Sequence, residues 1–98
     1  MTIHQMKNEK ALTIAPEGRL DTITAPELEA VLKNALDGVE ELTFDLEKLE
    51  YISSSGLRVL LSAQKTMNRQ GSMKVVHANE IIMEIFEITG FTDILTVE

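Results

Sequence analysis

Cysteine is absent from the chain, which excludes a disulfide framework, a thiol nucleophile and a thiolate metal site. Tryptophan is absent too, and one Tyr and three Phe are the only aromatics, so the core of this 98-residue chain must be aliphatic. Long apolar runs are missing: no window approaches the roughly 18 apolar residues of a spanning helix, and Met1 to Lys10 has no signal-peptide core. The expectation is a soluble, cytoplasmic protein with no membrane insertion. His4 and His77 are the only histidines and share no metal-ligand spacing, so neither a metal nor another cofactor is expected. The net charge of −7 argues against nucleic acid, whose phosphates demand a basic surface.

What is present suits one domain over residues 1–98, near the lower end of what folds alone. The acidic excess is uneven: residues 1–50 hold eleven Asp/Glu against five Lys/Arg, and no acid occurs between Glu50 and Glu80. The pairs Glu40–Glu41 and Glu47/Glu50 flank a strand and read as solvated charge, and Met67, Met73 and Met83 as core filler.

Ile3 to Met6 reads as a weak strand or a frayed terminus, and Lys10 to Ala15 as a strand. Pro16-Glu17-Gly18 then reads as a break, with Arg19-Leu20-Asp21 at the strand's end or in the loop beyond. Thr24-Ala25-Pro26-Glu27 has the spacing of a capping box with Pro in the first turn, and Ile23 and Leu28 the positions of a hydrophobic staple. A helix is predicted from Ala25 to Asp37, ended by Gly38. Glu41 to Leu46 alternates as a strand, and Leu49, Tyr51 and Ile52 carry apolar residues into a serine cluster. From Ser54 or Ser55, Leu57, Leu60, Leu61 and Met67 mark one face of a second helix, with Gln64 and Asn68 interrupting it, closed by Gln70-Gly71. Met73 to Val76 is a short strand. Asn79 caps a third helix bearing Ile81, Ile82, Ile85, Phe86 and Thr89, and Phe91 to Val97 is a short helix or an edge strand. Strands alternating with amphipathic helices imply an α/β fold with right-handed crossovers and a largely parallel central sheet.

The chemistry concentrates in Ser53-Ser54-Ser55-Gly56, at a strand-to-helix junction. The G-x-x-x-x-G-K-[ST] spacing of a phosphate loop is missing, and so is the G-x-S-x-G of a serine hydrolase with a supported histidine. Two readings stand on the residues alone. One is a serine N-cap with a glycine for close helix–strand packing. The other is a phosphorylatable hydroxyl, whose phosphate would meet unpaired N–H groups and the positive end of the helix dipole. Arg58, Ser62, Lys65 and Arg69 form a polar, basic stripe along the same helix, which taken alone reads first as a solvated face and second as a surface suited to a partner's acidic groups or nucleotide phosphates.

Thr43-Phe44-Asp45-Leu46, four residues, then Tyr51-Ile52-Ser53-Ser54-Ser55-Gly56-Leu57-Arg58-Val59-Leu60 resembles the signature of the STAS domain of bacterial anti-sigma factor antagonists. Gly18-Arg19-Leu20-Asp21 is similar to that family's G-x-L-D segment, and the resemblance spans essentially the whole chain. It implies a mixed central sheet of four to five strands with helices packed mainly on one side, and a regulatory rather than enzymatic role. The unphosphorylated protein would bind an anti-sigma factor that is also a serine kinase, releasing a sigma factor. Phosphorylation would end that binding, and a serine phosphatase would reset it. By position the acceptor is Ser55, with Ser54 as the alternative acceptor or, better, the helix cap. The partner surface comprises Asp21, Ser53, Ser54, Ser55, Gly56, Leu57 and Arg58, with Asp21 beside the acceptor and able to hydrogen-bond its hydroxyl. Many family members carry Asp where this chain has Ser53, so the site is less acidic here. A monomer or weak dimer is expected. Two alternatives are a STAS subunit of another complex, such as a lipid-transport ATPase or a stress-signalling scaffold, and a small enzyme with a serine nucleophile.

Overall fold

The computed structural model describes residues 1–98. The elements are β1 (Thr2–Asn8), β2 (Ala11–Leu20), α1 (Ala25–Ala35), β3 (Glu41–Asp45), β4 (Leu49–Ile52), α2 (Ser54–Gln70), β5 (Ser72–Val76) and α3 (Glu80–Thr89). The period-2 pattern of β2 makes it the strand on which the others assemble. Leu12, Ile14 and Leu20 are buried, and Ala11, Thr13 and Ala15 between them are half-buried. β1 pairs antiparallel with β2 from Thr2↔Glu17 to Asn8↔Ala11. The other edge of β2 takes two parallel partners in succession, β3 along Ala11–Ile14 and β4 along Gly18–Leu20. β5 then pairs parallel with β3, completing a mixed five-stranded sheet.

The Pro16-Glu17-Gly18 segment therefore does not end the strand. Pairing with β1 carries β2 through Pro16 and Glu17 and β4 takes it up from Gly18, and Pro16 falls in the gap between the β3 and β4 ladders, where a missing N–H costs no parallel pairing. Gly18 has φ of 108° and lies at a register shift, a bulge that re-aims the last residues of β2 toward β4. Tyr51 and Ile52, read only as an apolar approach to the serines, belong to β4, a four-residue strand. Its shortness hides its alternation.

One contiguous core of 23 buried residues lies between one face of the sheet and the three helices, with Phe44 and Phe86 its largest side chains. Along α2, Leu57, Val59, Leu60, Ala63 and Met67 enter it, whereas Leu61 is only half-buried. Gln64 also enters, its amide donating to Asn68 Oδ1 at 2.9 Å. On α3, Ile82 and Phe86 point inward, while Ile81 and Thr89 are exposed. Asn79 caps α3 as expected, its Oδ1 accepting from the Ile82 N–H at 2.8 Å. The segment from Phe91 combines both anticipated forms, a 3-10 turn at Phe91–Asp93 and a parallel bridge between Val97 and Val75.

Two helix starts differ from expectation. Thr24 has helical backbone angles and makes no side-chain cap, so the capping box does not form. The staple fails with it, since Leu28 is fully buried but Ile23 is 82% exposed. On α2 the cap is Ser53, not Ser54: its backbone is extended and its Oγ accepts from the Gly56 N–H at 3.4 Å. Gly56 itself is pressed against the sheet. A Cβ there would lie 2.7 Å from both Ile52 Cγ1 and Leu20 Cγ. Gly56→Ala should therefore lower stability by about 1–3 kcal/mol, as overpacking does, read as a lower urea midpoint. An unchanged midpoint would contradict the close seat of α2 on β2 and β4.

Candidate functional site

The C-terminal ends of β2 and β4 lie side by side, with Leu20 opposite Ile52 and the Ser53 N–H donating to the Leu20 carbonyl at 2.8 Å. The loop leaving β2 and the first turn of α2 are thereby brought together at the carboxyl ends of parallel strands, the usual place for sites in α/β sheets.

Asp21 organises the loop. Its Oδ1 accepts from the N–H groups of Ile23 and Thr24, each at 3.0 Å. The Thr24 hydroxyl accepts from the Asp21 N–H at 2.9 Å and donates to the Arg19 carbonyl at 2.6 Å, and the Ala25 N–H donates to the Asp21 carbonyl at 2.8 Å. Thr24 thus serves the loop instead of capping α1 from the expected position. The Thr24 N–H foremost, with help from that of Ile23, holds the Asp21 carboxyl below the usual carboxylate range against slight desolvation. Arg19 adds a favourable charge and also lies over the Tyr51 ring, 4.6 Å from its centre.

The residue that touches the serines is Thr22, not Asp21. Thr22 Oγ1 lies 3.4 Å from Ser55 Oγ, whereas the bonded carboxylate oxygen of Asp21 is occupied by its own loop. Sequence reasoning passed over Thr22 because a lone threonine in a loop carries no pattern; its position next to Asp21 was the only available signal. Ser55 is half-buried and Ser54 is exposed. Because Ser53 is the cap, the backbone N–H groups of Ser54 and Ser55 occupy the first two helical positions, where no intrahelical acceptor exists. No acid lies in that first turn, so the dipole's positive end is uncompensated.

Arg58, Ser62, Lys65 and Arg69 are all exposed on α2, and none of the three cations is paired with an acid. A surface depression of about 650 Å³ runs between α1 and α2 further along, bordered by Glu29, Lys33, Ser62 and Thr66, and does not include Ser53, Ser54 or Ser55.

A second cluster was invisible in the sequence. His77, just beyond β5 with φ of 60°, places Nδ1 2.9 Å from Asp45 Oδ1 at the end of β3. Glu47 joins them, and the potential ligand atoms of the three lie within 4.8 Å of one another. Parallel pairing of β3 with β5 brings together residues that no local spacing connects. The arrangement makes an exposed ion pair. The Asp45 hydrogen bond, then its charge, raises the His77 pKa; partial burial pushes the Asp45 carboxyl up, but bonds from His77 and the Glu47 N–H outweigh it and hold it low. Because the folded-state value of His77 is raised, the pair's stabilisation is complete below the ordinary imidazole pKa and is lost as pH rises through the folded-state value. An NMR titration should place the His77 midpoint above that of a free imidazole, and Asp45→Asn should bring it back. A midpoint indifferent to Asp45→Asn would contradict the pairing.

The family model of the STAS domain matches residues 3–98. Over 99% of its length the chain is 34% identical to BtrV of Bordetella bronchiseptica, covering 85% of that protein. It is 30% identical to the anti-sigma-B factor antagonist of Staphylococcus aureus, covering 99% of this chain and 92% of that one. Among solved structures, an anti-sigma factor antagonist from Mycobacterium paratuberculosis superposes with a TM-score of 0.89 at 22% identity, over 98% of this chain and 83% of that one. The phosphorylated form of the Bacillus cell fate determinant SpoIIAA superposes with a TM-score of 0.76 at 17% identity, over 99% and 91% of the two chains. No helix is long and apolar enough to cross a membrane. With a family model spanning nearly its whole length, and the mixed sheet and three helices of its structural neighbours, the chain belongs to the STAS domain family.

Proposed function

We propose that this protein is an anti-sigma factor antagonist switched by phosphorylation of Ser55. The observation that carries the proposal is the Ser55 hydroxyl, half-buried at the start of α2 and in contact with Thr22 across the β2–α1 loop. The names of the Staphylococcus relative and the Mycobacterium structure, and the phosphorylated state of SpoIIAA, support the same reading.

Unmodified, Ser55 and the neighbouring Thr22 and Ser54 side chains are neutral and small, and an anti-sigma factor can cover them, releasing its sigma factor. The partner is also the kinase. Ser55 Oγ attacks the γ-phosphorus of ATP held by the partner, a new O–P bond forms, the bond to the bridging oxygen breaks, ADP leaves, and the hydroxyl proton passes to a base of the partner. This chain contributes the nucleophile and its position; Thr22 restrains the hydroxyl. The product adds a charge of about −1.5 to −2. The free N–H groups of Ser54 and Ser55 and the helix dipole accommodate it on this chain. The ionised Asp21 carboxylate adds to the negative field that a covering partner would meet, so the phosphorylated surface is released. A serine phosphatase restores the hydroxyl by hydrolysis. Arg58, Lys65 and Arg69 supply cationic guidance toward the acidic or nucleotide-bearing face of the partner.

Incubation with ATP and the cognate anti-sigma kinase, followed by mass spectrometry, should place one phosphate on Ser55. Ser55→Ala should abolish labelling yet keep kinase binding, whereas Ser54→Ala should still be labelled. Phosphate on Ser54 alone would reassign the acceptor, and no phosphate on Ser53, Ser54 or Ser55 would defeat the proposal.

A further inference from the structure

Ile23 is the most exposed large hydrophobic residue of the chain, at 82%. Its position on the sequence offers it a partner, Leu28, in a hydrophobic staple, yet Leu28 turns fully into the core and leaves it outside. The exposure is imposed by the loop. Asp21 Oδ1 holds the Ile23 N–H at 3.0 Å, and the flanking Thr24 is fixed at both its N–H and its hydroxyl. An isoleucine held outward on a hydrogen-bonded turn is pre-organised, so binding to it sacrifices little loop entropy. The residue before it, Thr22, reaches Ser55 Oγ at 3.4 Å, so Ile23 stands one residue along the loop from the contact with the acceptor hydroxyl.

We infer that Ile23 is the apolar anchor by which the anti-sigma factor grips this chain, inserting into a hydrophobic pocket of that partner beside its nucleotide site. The inference rests on the switch proposed for Ser55 and names the contact that gives the unphosphorylated form its affinity. Exposed isolated apolar residues are ordinary on protein surfaces; this one is distinguished by its rigid presentation and its place next to the acceptor. The chemistry of the match is specific. Ile23 and the hydroxyls of Thr22 and Ser55 present one aliphatic projection beside two neutral polar groups. The complementary surface is a greasy socket flanked by hydrogen-bonding groups, with the basic stripe of α2 off to one side. A phosphate on Ser55 would lie against Thr22 and bring charge to the edge of the contact that Ile23 must keep dry.

Binding of the purified serine-kinase anti-sigma factors of the source genome, loaded with ADP so that Ser55 stays unmodified, tests this by calorimetry. Ile23→Ala should weaken binding at least about tenfold, equivalent to about 1.4 kcal/mol, with an unchanged thermal midpoint because the side chain supports no core contact. Met6→Ala, a control at another exposed apolar residue (73%) on β1, should bind as the wild type does. Ile23→Ala binding within about twofold of wild type, while Ser55→Asp binds weakly, would overturn the anchor and leave the switch standing. Equal losses in Ile23→Ala and Met6→Ala would also overturn it. Wild-type protein that binds none of these kinases would overturn the switch itself, and the anchor with it.

Discussion

The contact on which the rest depends is the seat of α2 upon the ends of β2 and β4. Gly56 gives up its side chain so that Leu20 and Ile52 can pass within van der Waals reach of the helix backbone. The Ser53 N–H completes the join by donating to the Leu20 carbonyl. With the helix start fixed to both strands, the loop leaving β2 and the first turn of α2 cannot move independently. Thr22 and Ser55 therefore meet, although thirty-three residues separate them in the chain.

Charge is distributed to suit that junction. The first turn of α2 lacks acids, so its two N–H groups without intrahelical acceptors sit at a dipole end that no carboxylate of that turn compensates. Asp21 is kept ionised by the backbone of its own loop, where it fixes shape without neutralising the site. A hydroxyl between these features is stable when neutral and remains compatible with the fold when it carries a phosphate. Under the proposed switch the change would fall on the surface seen by a partner, and nothing in the fold need rearrange.

Much of this was legible in the sequence. Amphipathic spacing gave the three helices, alternation gave β3, a short apolar run gave β5, and Asn79 announced its own cap. The glycine after the serines signalled close helix–strand packing, and the resemblance of Gly18-Arg19-Leu20-Asp21 to the family's G-x-L-D segment implied a loop beside them. The misses have two causes: strand pairing overrode a turn signal, and neighbouring residues took over a cap. Pro16 and Gly18 looked like an end to β2, but pairing with β1 carries the strand through Pro16 and β4, about thirty residues further along the chain, takes it up at Gly18. Thr24 had the spacing of a cap, but Asp21 and the Arg19 carbonyl captured its hydroxyl and backbone. Ser54 yielded the cap to Ser53 because the chain leaves β4 one residue earlier than the helical pattern implied. Thr22 and the His77–Asp45–Glu47 cluster exist only through strand pairing, so no linear motif marks them.

The central claim is that Ser55 changes a surface and not the fold. The most direct test is a pair of amide NMR spectra, of the unmodified protein and of protein phosphorylated stoichiometrically at Ser55. The account predicts large shifts confined to Thr22–Thr24 and Ser53–Arg58, with the core amides of β3, β5 and α3 unmoved. Shifts spread through the sheet, or none in the Thr22–Thr24 loop, would contradict it.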